Sequence, residues 1–335
     1  MRILPEAVTE ECLLHLPPVK SLSITFEFGP GEAVDCVGIV CPMLPAQMVT
    51  HQGQAIEKIL GAIRIAHSLG ASLVGLGGFT SIIGDGGLEI ARRSPLPVTS
   101  GNTYTAAVIL QSVFSAADLL ELDLKTARVA IIGATGDIGS VCAKTFVGEV
   151  NNLFLVAREQ TRLQEFALSL GREYASKIKT LTTPEEAAYN SDIILTTTSA
   201  TTTVLDYRRI KRGAIVCDVS VPPNIAREAC KDRNDIFVFE GGYAAMPYFK
   251  NIKTLKFTKH FQHGAIFGCL AETIILALEN RFENFSIGRG RIDINRIQLI
   301  NEIGLKHGFG LAPFFCGDKL YTEKEIEMLQ LLSQG

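Results

Sequence analysis

One stretch governs what this chain can become. Val129-Ala130-Ile131-Ile132 runs directly into Gly133-Ala134-Thr135-Gly136-Asp137-Ile138-Gly139-Ser140. Four apolar residues rich in β-branched types read as a buried strand, and the apolar spacing over 138–150 reads as a helix. Between them a glycine recurs at every third position. The first permits a tight turn, the second lets backbone approach a pyrophosphate, and the third lets the helix pack on the strand. The helix start presents N–H groups and the positive end of the helix dipole to an anion. Strand, loop and helix in this order read as a dinucleotide-binding loop of Gly133, Ala134, Thr135, Gly136, Asp137, Ile138 and Gly139. The bland alternative is a strand–helix turn of purely structural use.

The rhythm around this loop is short strand, loop, helix, repeated. Strands are expected at 129–132, 153–156, 178–181, 193–196, 214–217 and 236–239, with helices at 138–150, 161–174 and 184–188. Apolar strands at this spacing predict a parallel sheet covered on both faces. The segment before it reads differently. Residues 22–28 and 34–40 alternate about a Gly/Pro turn and predict a β-hairpin. A helix is expected over 46–69, capped at Gly70, then a short strand at 73–76, a glycine-rich loop at 84–87 and a helix over 104–121. The last third predicts helices over 266–280 and 294–307. With 335 residues and ~150 residues per domain, about two domains are expected. The fold class is α/β, a Rossmann domain beside a mixed α/β substrate domain built from the N-terminal region and the C-terminal helices. The expected division is 1–124 for substrate, 125–245 for the dinucleotide and 246–335 for a helical segment completing the substrate domain.

The second strand of the repeat ends in Val156-Ala157-Arg158-Glu159-Gln160-Thr161-Arg162. An NAD site usually places Asp or Glu here, on the ribose 2′-hydroxyl. Arg158 stands there instead, with Arg162 one helical turn on. Guanidinium forks suit a 2′-phosphate, so NADP is favoured, with Glu159 as an NAD ligand the alternative. Thr198 and Ser199, just past the 193–196 strand, complete the expected cofactor set.

Composition removes several classes of function. The formal net charge is −3 (32 basic, 35 acidic), and nucleic-acid proteins usually carry a basic excess. No run reaches the ~18 apolar residues of a membrane span, and the N-terminus lacks a secretory pattern. The eight cysteines form no Cys-x-x-Cys pair and have no histidine at metal-ligand spacing, so no metal site is expected. They read as reduced thiols in a cytoplasmic protein.

Cys269 stands out among them. It falls in Phe267-Gly268-Cys269-Leu270-Ala271-Glu272-Thr273, at the start of an apolar helix. There the helix dipole would lower its pKa and favour a thiolate able to attack a thioester. Glu272, three residues on, either relays a proton or stabilises the helix start. Composition alone favours an inert buried cysteine. His260 and His263 either protonate a leaving group or are surface residues. Lys250, Lys253, Lys256 and Lys259 either meet an acidic carrier protein or form a solvated face.

Several motifs fall together in one order: Leu76-Gly77-Gly78-Phe79-Thr80-Ser81-Ile82-Ile83, Gly101-Asn102-Thr103-Tyr104-Thr105-Ala106, the glycine loop, Ala157-Arg158, Gly241-Gly242-Tyr243, Cys269-Leu270-Ala271-Glu272, and Phe282-Glu283-Asn284-Phe285-Ser286 with Gly288-Arg289. Through them, from about Pro17 to Phe309, the chain resembles the long-chain acyl-[acyl-carrier-protein] reductases of the cyanobacterial alkane pathway. The resemblance implies NADPH-dependent reduction of a fatty acyl thioester to an aldehyde. It also implies acylation of Cys269, a nucleotide loop at Gly133–Ser140, acyl carrier protein as thioester donor, and in cyanobacteria an aldehyde-consuming oxygenase. Glutamyl-tRNA reductases and shikimate dehydrogenases have related folds. Gly77, Gly78, Thr80, Ser81, Asn102 and Thr105 are the substrate-loop candidates, with backbone N–H near Gly77-Gly78 or Gly101 as oxyanion donors. Their alternative is turns that only let elements pack. The chain departs from the family at its later start, at 218–224, between Tyr243 and Ala265, and in the 322–334 tail. A shikimate-type dehydrogenase without a covalent step and a non-catalytic NADP sensor are the competing functions.

Overall fold

The computed structural model describes residues 6–29, 32–198, 205–220, 223–225, 227–247 and 264–333. Helix α1 (Glu6–His15) leads into an antiparallel hairpin of β1 (Val19–Gly29) and β2 (Glu32–Val40), as the alternation predicts. Phe26 and Phe28 stack on it at 6.3 Å, and Phe28 meets Phe309 at 5.8 Å, which docks the hairpin on the core. The helix expected over 46–69 is two, α2 (Pro45–Thr50) and α3 (Gln52–Ser68), broken at His51. Thr50 Oγ1 donates to the Ala46 and Gln47 carbonyls and also pairs with His51 Nδ1, a side-chain competition that disturbs helices. Gly70 ends α3 at φ +85°.

Next come β3 (Val74–Gly75), a 3-10 turn over Gly78–Ile82, α4 (Ile83–Gly86), α5 (Leu88–Arg93) and β4 (Val98–Thr99), parallel to β3. Helix α6 (Asn102–Leu119) follows and is apolar nearly all round. Such a helix needs partners on every side.

The partners are the two halves of the molecule. β5 (Arg128–Ile132), α7 (Asp137–Phe146), β6 (Asn152–Val156), α8 (Gln160–Ser169), β7 (Ile178–Leu181), α9 (Pro184–Ala188), β8 (Ile193–Thr196), β9 (Ile215–Asp218), α10 (Ala229–Asp232) and β10 (Phe237–Glu240) alternate as expected. Their sheet has the order β10-β9-β8-β5-β6-β7, parallel throughout. This is the doubly wound Rossmann arrangement, with the order reversing between β5 and β8.

The chain then returns to α6. β11 (Tyr243–Ala245) pairs antiparallel with β12 (Ala265–Phe267), and α11 (Gly268–Leu278) starts directly after it. The helix predicted from 266 therefore begins two residues later. Ile266 and Phe267 pair with Ala244 and Tyr243, and the Gly268 N–H is held by the Gly242 carbonyl at 2.8 Å. α12 (Ile294–Lys306) packs on α6 as well. The remaining elements are β13 (Gly310–Leu311), β14 (Phe315–Cys316), β15 (Lys319–Leu320) and α13 (Glu323–Ser333). This tail lies against the Rossmann sheet: the Tyr321 ring meets Phe237 at 4.9 Å and its hydroxyl donates to the Val238 carbonyl.

One apolar core runs through both halves. It holds Val108, Ile109 and Val113 of α6, Ile131 of β5, Phe146 of α7, Ile274 and Ile275 of α11, and Phe309. No helix of the described residues is long and apolar enough to cross a membrane. Phe146 is fully buried and meets Phe114 at 5.2 Å. Phe146→Ala should cost about 3–5 kcal/mol, read as a lower midpoint in guanidinium unfolding. An unchanged midpoint would contradict this packing.

Candidate active site

The dinucleotide side forms at the switch between β5 and β8. Gly133 leaves β5 at φ +92°, and a Cβ there would stand 2.9 Å from the Thr197 carbonyl that follows β8. A Cβ on Gly139 would lie 2.3 Å from Gly133 O. The loop is tied down by Gly136 N–H to Gly133 O at 3.0 Å, and by Gly133 and Ala134 N–H to Val156 O at 2.9 and 3.0 Å. The glycines thus hold the loop close to the start of α7, the shape a pyrophosphate requires. The donor set fits a dinucleotide. Arg158 is exposed just past β6. Arg162 reaches back and donates to Thr135 O at 2.9 Å, so it braces the loop. Thr198 O accepts from Ser220 Oγ. Ser199 lies outside the described residues, as do His260, His263 and the lysines from Lys250 to Lys259. Thr197, whose hydroxyl donates to Ile132 O at 3.1 Å, is a loop partner that sequence reading missed. Its only signal was its place after β8.

Cys269 sits in the first turn of α11, half-buried. A Cβ on Gly101 would fall 2.2 Å from Cys269 Cα, so only glycine fits there. The expected lowering of the thiol pKa is corrected by the structure: burial, then the Glu272 carboxylate, push it up to about 11. The N–H groups of Leu270, Cys269 and Gly78 pull the other way. Gly77 and Gly78 are exposed, with open space where a Cβ would stand. At these two positions the turn presents bare backbone.

Glu272 is fully buried. Its carboxylate accepts from the Thr99 hydroxyl, from Ser286 Oγ at 2.7 Å and from the Tyr104 N–H at 2.7 Å. Burial raises its pKa against these donors. α6 opens at Gly101, which has no side chain to cap it. Glu272 and Ser286, whose Oγ accepts from the Thr103 N–H at 3.1 Å, do the capping instead. Of the two readings of Glu272, this arrangement supports the structural one, since its oxygens hold elements in place. The bracing roles of Thr99, Thr103 and Ser286 were missed because they depend on partners far away in sequence.

The other substrate candidates divide. The hydroxyls of Thr80 and Ser81 donate to Gly77 O and Gly78 O, and that of Thr105 to Gly101 O. All three are spent on local backbone. Asn102 instead turns to the cofactor side, its Nδ2 donating to Asp137 Oδ2 at 3.3 Å. Asp137 also accepts from the Gly290 N–H at 2.5 Å; burial raises its pKa, opposed by that bond, by Arg289 and by Asn102. A cleft of about 470 Å³ opens beside this junction, lined by Ser100, Asn102, Thr103, Asp137 and Ser286 among others.

Residues 115–240 match the Shikimate / quinate 5-dehydrogenase family. Over 88% of its length the chain is 31% identical to the aminotransferase PigE of a Serratia strain, but it spans only 34% of that protein. A stretch of 181 residues is 25% identical to the glutamyl-tRNA reductase of Trichodesmium erythraeum, covering 51% of this chain and 40% of that one. The long-chain acyl-[acyl-carrier-protein] reductase of Synechococcus elongatus is 32% identical over 306 residues, covering 88% of this chain and 87% of that one. The fold is that of the NAD(P)-dependent oxidoreductases, and its cofactor is NADPH. Similarity over nearly the full length of both chains places this one with the last relative: it belongs to the long-chain acyl-[acyl-carrier-protein] reductase family.

Proposed function

We propose that this protein reduces a long-chain fatty acyl thioester, carried by acyl carrier protein or coenzyme A, to the aldehyde through an acyl-enzyme on Cys269. The observation that carries the reading is the seat of Cys269, in the first turn of α11 and packed on Gly101 where only glycine fits, in a chain 32% identical to an acyl-[acyl-carrier-protein] reductase. Residues 1–124 and 246–335 would supply the acyl side and 125–245 the cofactor side.

With a thiol pKa near 11, on the order of one thiol in a thousand is ionised at pH 8. Cys269 therefore attacks as its proton departs. The sulfur bonds to the acyl carbon, the carrier's C–S bond breaks, and the carrier leaves as a thiol with that proton. The Gly78 N–H, on an exposed turn, would donate to the oxyanion formed on the way. Gly133–Gly139 would hold NADPH, with Arg158 toward its 2′-phosphate, and the bound cofactor would supply the hydride that reduces the thioester carbonyl. The resulting hemithioacetal oxyanion would reform the carbonyl and release aldehyde as its C–S bond breaks, and the Cys269 thiolate would take a proton from solvent. Glu272 keeps Cys269, Gly101 and the start of α6 in register throughout and moves no proton.

Intact-protein mass spectrometry tests the covalent step. Wild type mixed with a long-chain acyl thioester should gain one acyl mass, lose it on adding NADPH and release aldehyde, while Cys269→Ser gains none. Reduction by Cys269→Ser at the wild-type rate would leave the small-molecule dehydrogenase. Dinucleotide binding with no turnover of any thioester would leave the sensor.

The pH dependence has a definite sign. A raised thiol pKa means that alkylation of Cys269 by iodoacetamide climbs about tenfold per pH unit from pH 7 to pH 10. Glu272→Gln removes the charge opposing ionisation, so it should move the curve to lower pH. A plateau below pH 8 in the wild type would contradict the burial described here.

Cofactor choice is read at Arg158. A charge-assisted bond worth about 1.5–3 kcal/mol predicts that Arg158→Ala raises the KM for NADPH by about 10- to 100-fold and leaves that for NADH unchanged. Equal effects on both would remove the 2′-phosphate role.

A further inference from the structure

The cleft beside Asn102 and Asp137 is lined by three arginines and two aspartates, an excess of one positive charge. Arg92, Arg291 and Arg296 all line it. Arg296 is committed, donating to the Phe285 carbonyl at 2.5 Å and lying over the Phe285 ring at 5.2 Å. Arg92 and Arg291 are exposed, and among the described residues neither has an ion-pair partner. The two carboxylates of the cleft are occupied with backbone. Asp137 accepts from Gly290 N–H, and Asp293 accepts from Asn295 N–H at 3.0 Å to cap α12. Two open guanidinium forks beside satisfied carboxylates select an anion, and fork geometry matches phosphate oxygens.

The cleft is larger than an ion requires. Its volume of about 470 Å³ falls in the range of sites that hold whole small molecules. Leu88, Ala91, Ile287 and Ile292 supply apolar wall, and Ser100 and Thr103 supply hydroxyl-bearing wall. The ligand is therefore a phosphate ester with an uncharged stem of mixed polarity. Ser100 and Asn102 flank Gly101, whose Cα lies against Cys269. Ser286, another wall residue, donates to Glu272 one turn along from Cys269. The cleft thus shares its wall with the cysteine, which is not itself among the lining residues.

We propose that Arg92 and Arg291 bind the phosphate of a pantetheine-type carrier arm whose thioester end reaches Cys269. The proposal rests on the thioester-reductase reading above and names where that substrate is held. The dinucleotide is the other source of phosphate esters, but its pyrophosphate has its own seat at the glycine loop.

The test compares two thioesters with the same acyl chain, S-acyl-4′-phosphopantetheine and S-acyl-pantetheine, which lacks the phosphate. Arg92→Ala and Arg291→Ala should each raise the KM for the phosphorylated ester by about tenfold or more, with kcat and the KM for the unphosphorylated ester unchanged. Arg92→Lys should recover part of the loss. Equal losses on both esters, no loss on either, or a rise confined to the KM for NADPH would each overturn the proposal, the last by giving the cleft to the dinucleotide. Calorimetry with 4′-phosphopantetheine alone separates this site from the reaction. If wild type reduces neither ester yet binds 4′-phosphopantetheine, and the Arg92→Ala/Arg291→Ala protein does not, the reductase reading falls and the anion site stands. Absence of binding to wild type overturns the site.

Discussion

The carboxylate of Glu272 is the point on which the rest of the site depends. It is buried completely, at a desolvation cost of several kcal/mol, and it is kept there by what it holds together. Through Thr99 it fixes the end of β4, through Tyr104 the first turn of α6, and through Ser286 the segment that returns from α11. The need arises from a conflict at Gly101. A helix start wants a capping side chain, but the backbone of Cys269 occupies the space where one would begin. The cap therefore comes from a residue 168 positions away in sequence, on the helix that carries Cys269. Close approach of cysteine to loop and capping of α6 are one solution to one steric problem.

The second constraint is the meeting of cofactor side and thiol side. Asn102 opens α6 and Asp137 opens α7, and they bond to each other. The ends of two helices, one leading from the thiol and one from the phosphate loop, thus meet side by side. This brings the C-terminal edge of the Rossmann sheet, where doubly wound folds bind their ligands, against the turn packed on Cys269. The protein spends polar groups generously at this seam: Gly290 N–H, Asn102 Nδ2 and the Thr103–Ser286 pair are all engaged. The arginines left over nearby are conspicuous for that reason.

Much of the fold was legible in sequence because it follows from local rules. The period-two runs of the hairpin, the glycine triplet after 129–132 and the alternation of apolar strands with helices each depend on neighbours a few residues apart. The boundaries failed where distant partners intervened. Ile266 and Phe267 carry helical spacing, but strand pairing with Ala244 and Tyr243 takes them. His51 interrupts a helix whose apolar stripe continues past it. The site was legible as a set of residues and less so as chemistry. A first-turn cysteine implies a low pKa by the dipole alone, yet burial and a neighbouring carboxylate reverse the sign. Periodicity placed Glu272 near Cys269 but could not reveal the donors that consume both its oxygens.

α6 is buried on nearly every face, and the core around it passes without interruption from the Rossmann sheet to α11, α12 and the hairpin. Among the described residues, two lobes joined in this way share one apolar core instead of meeting at a seam along which they could part. A hinge would have to tear α6 out of one half of its packing, at a cost near that of unfolding. With α6 shared in this way, a ligand would have to enter from outside, along surfaces such as the bare backbone of Gly77 and Gly78, instead of being swallowed by a closing jaw.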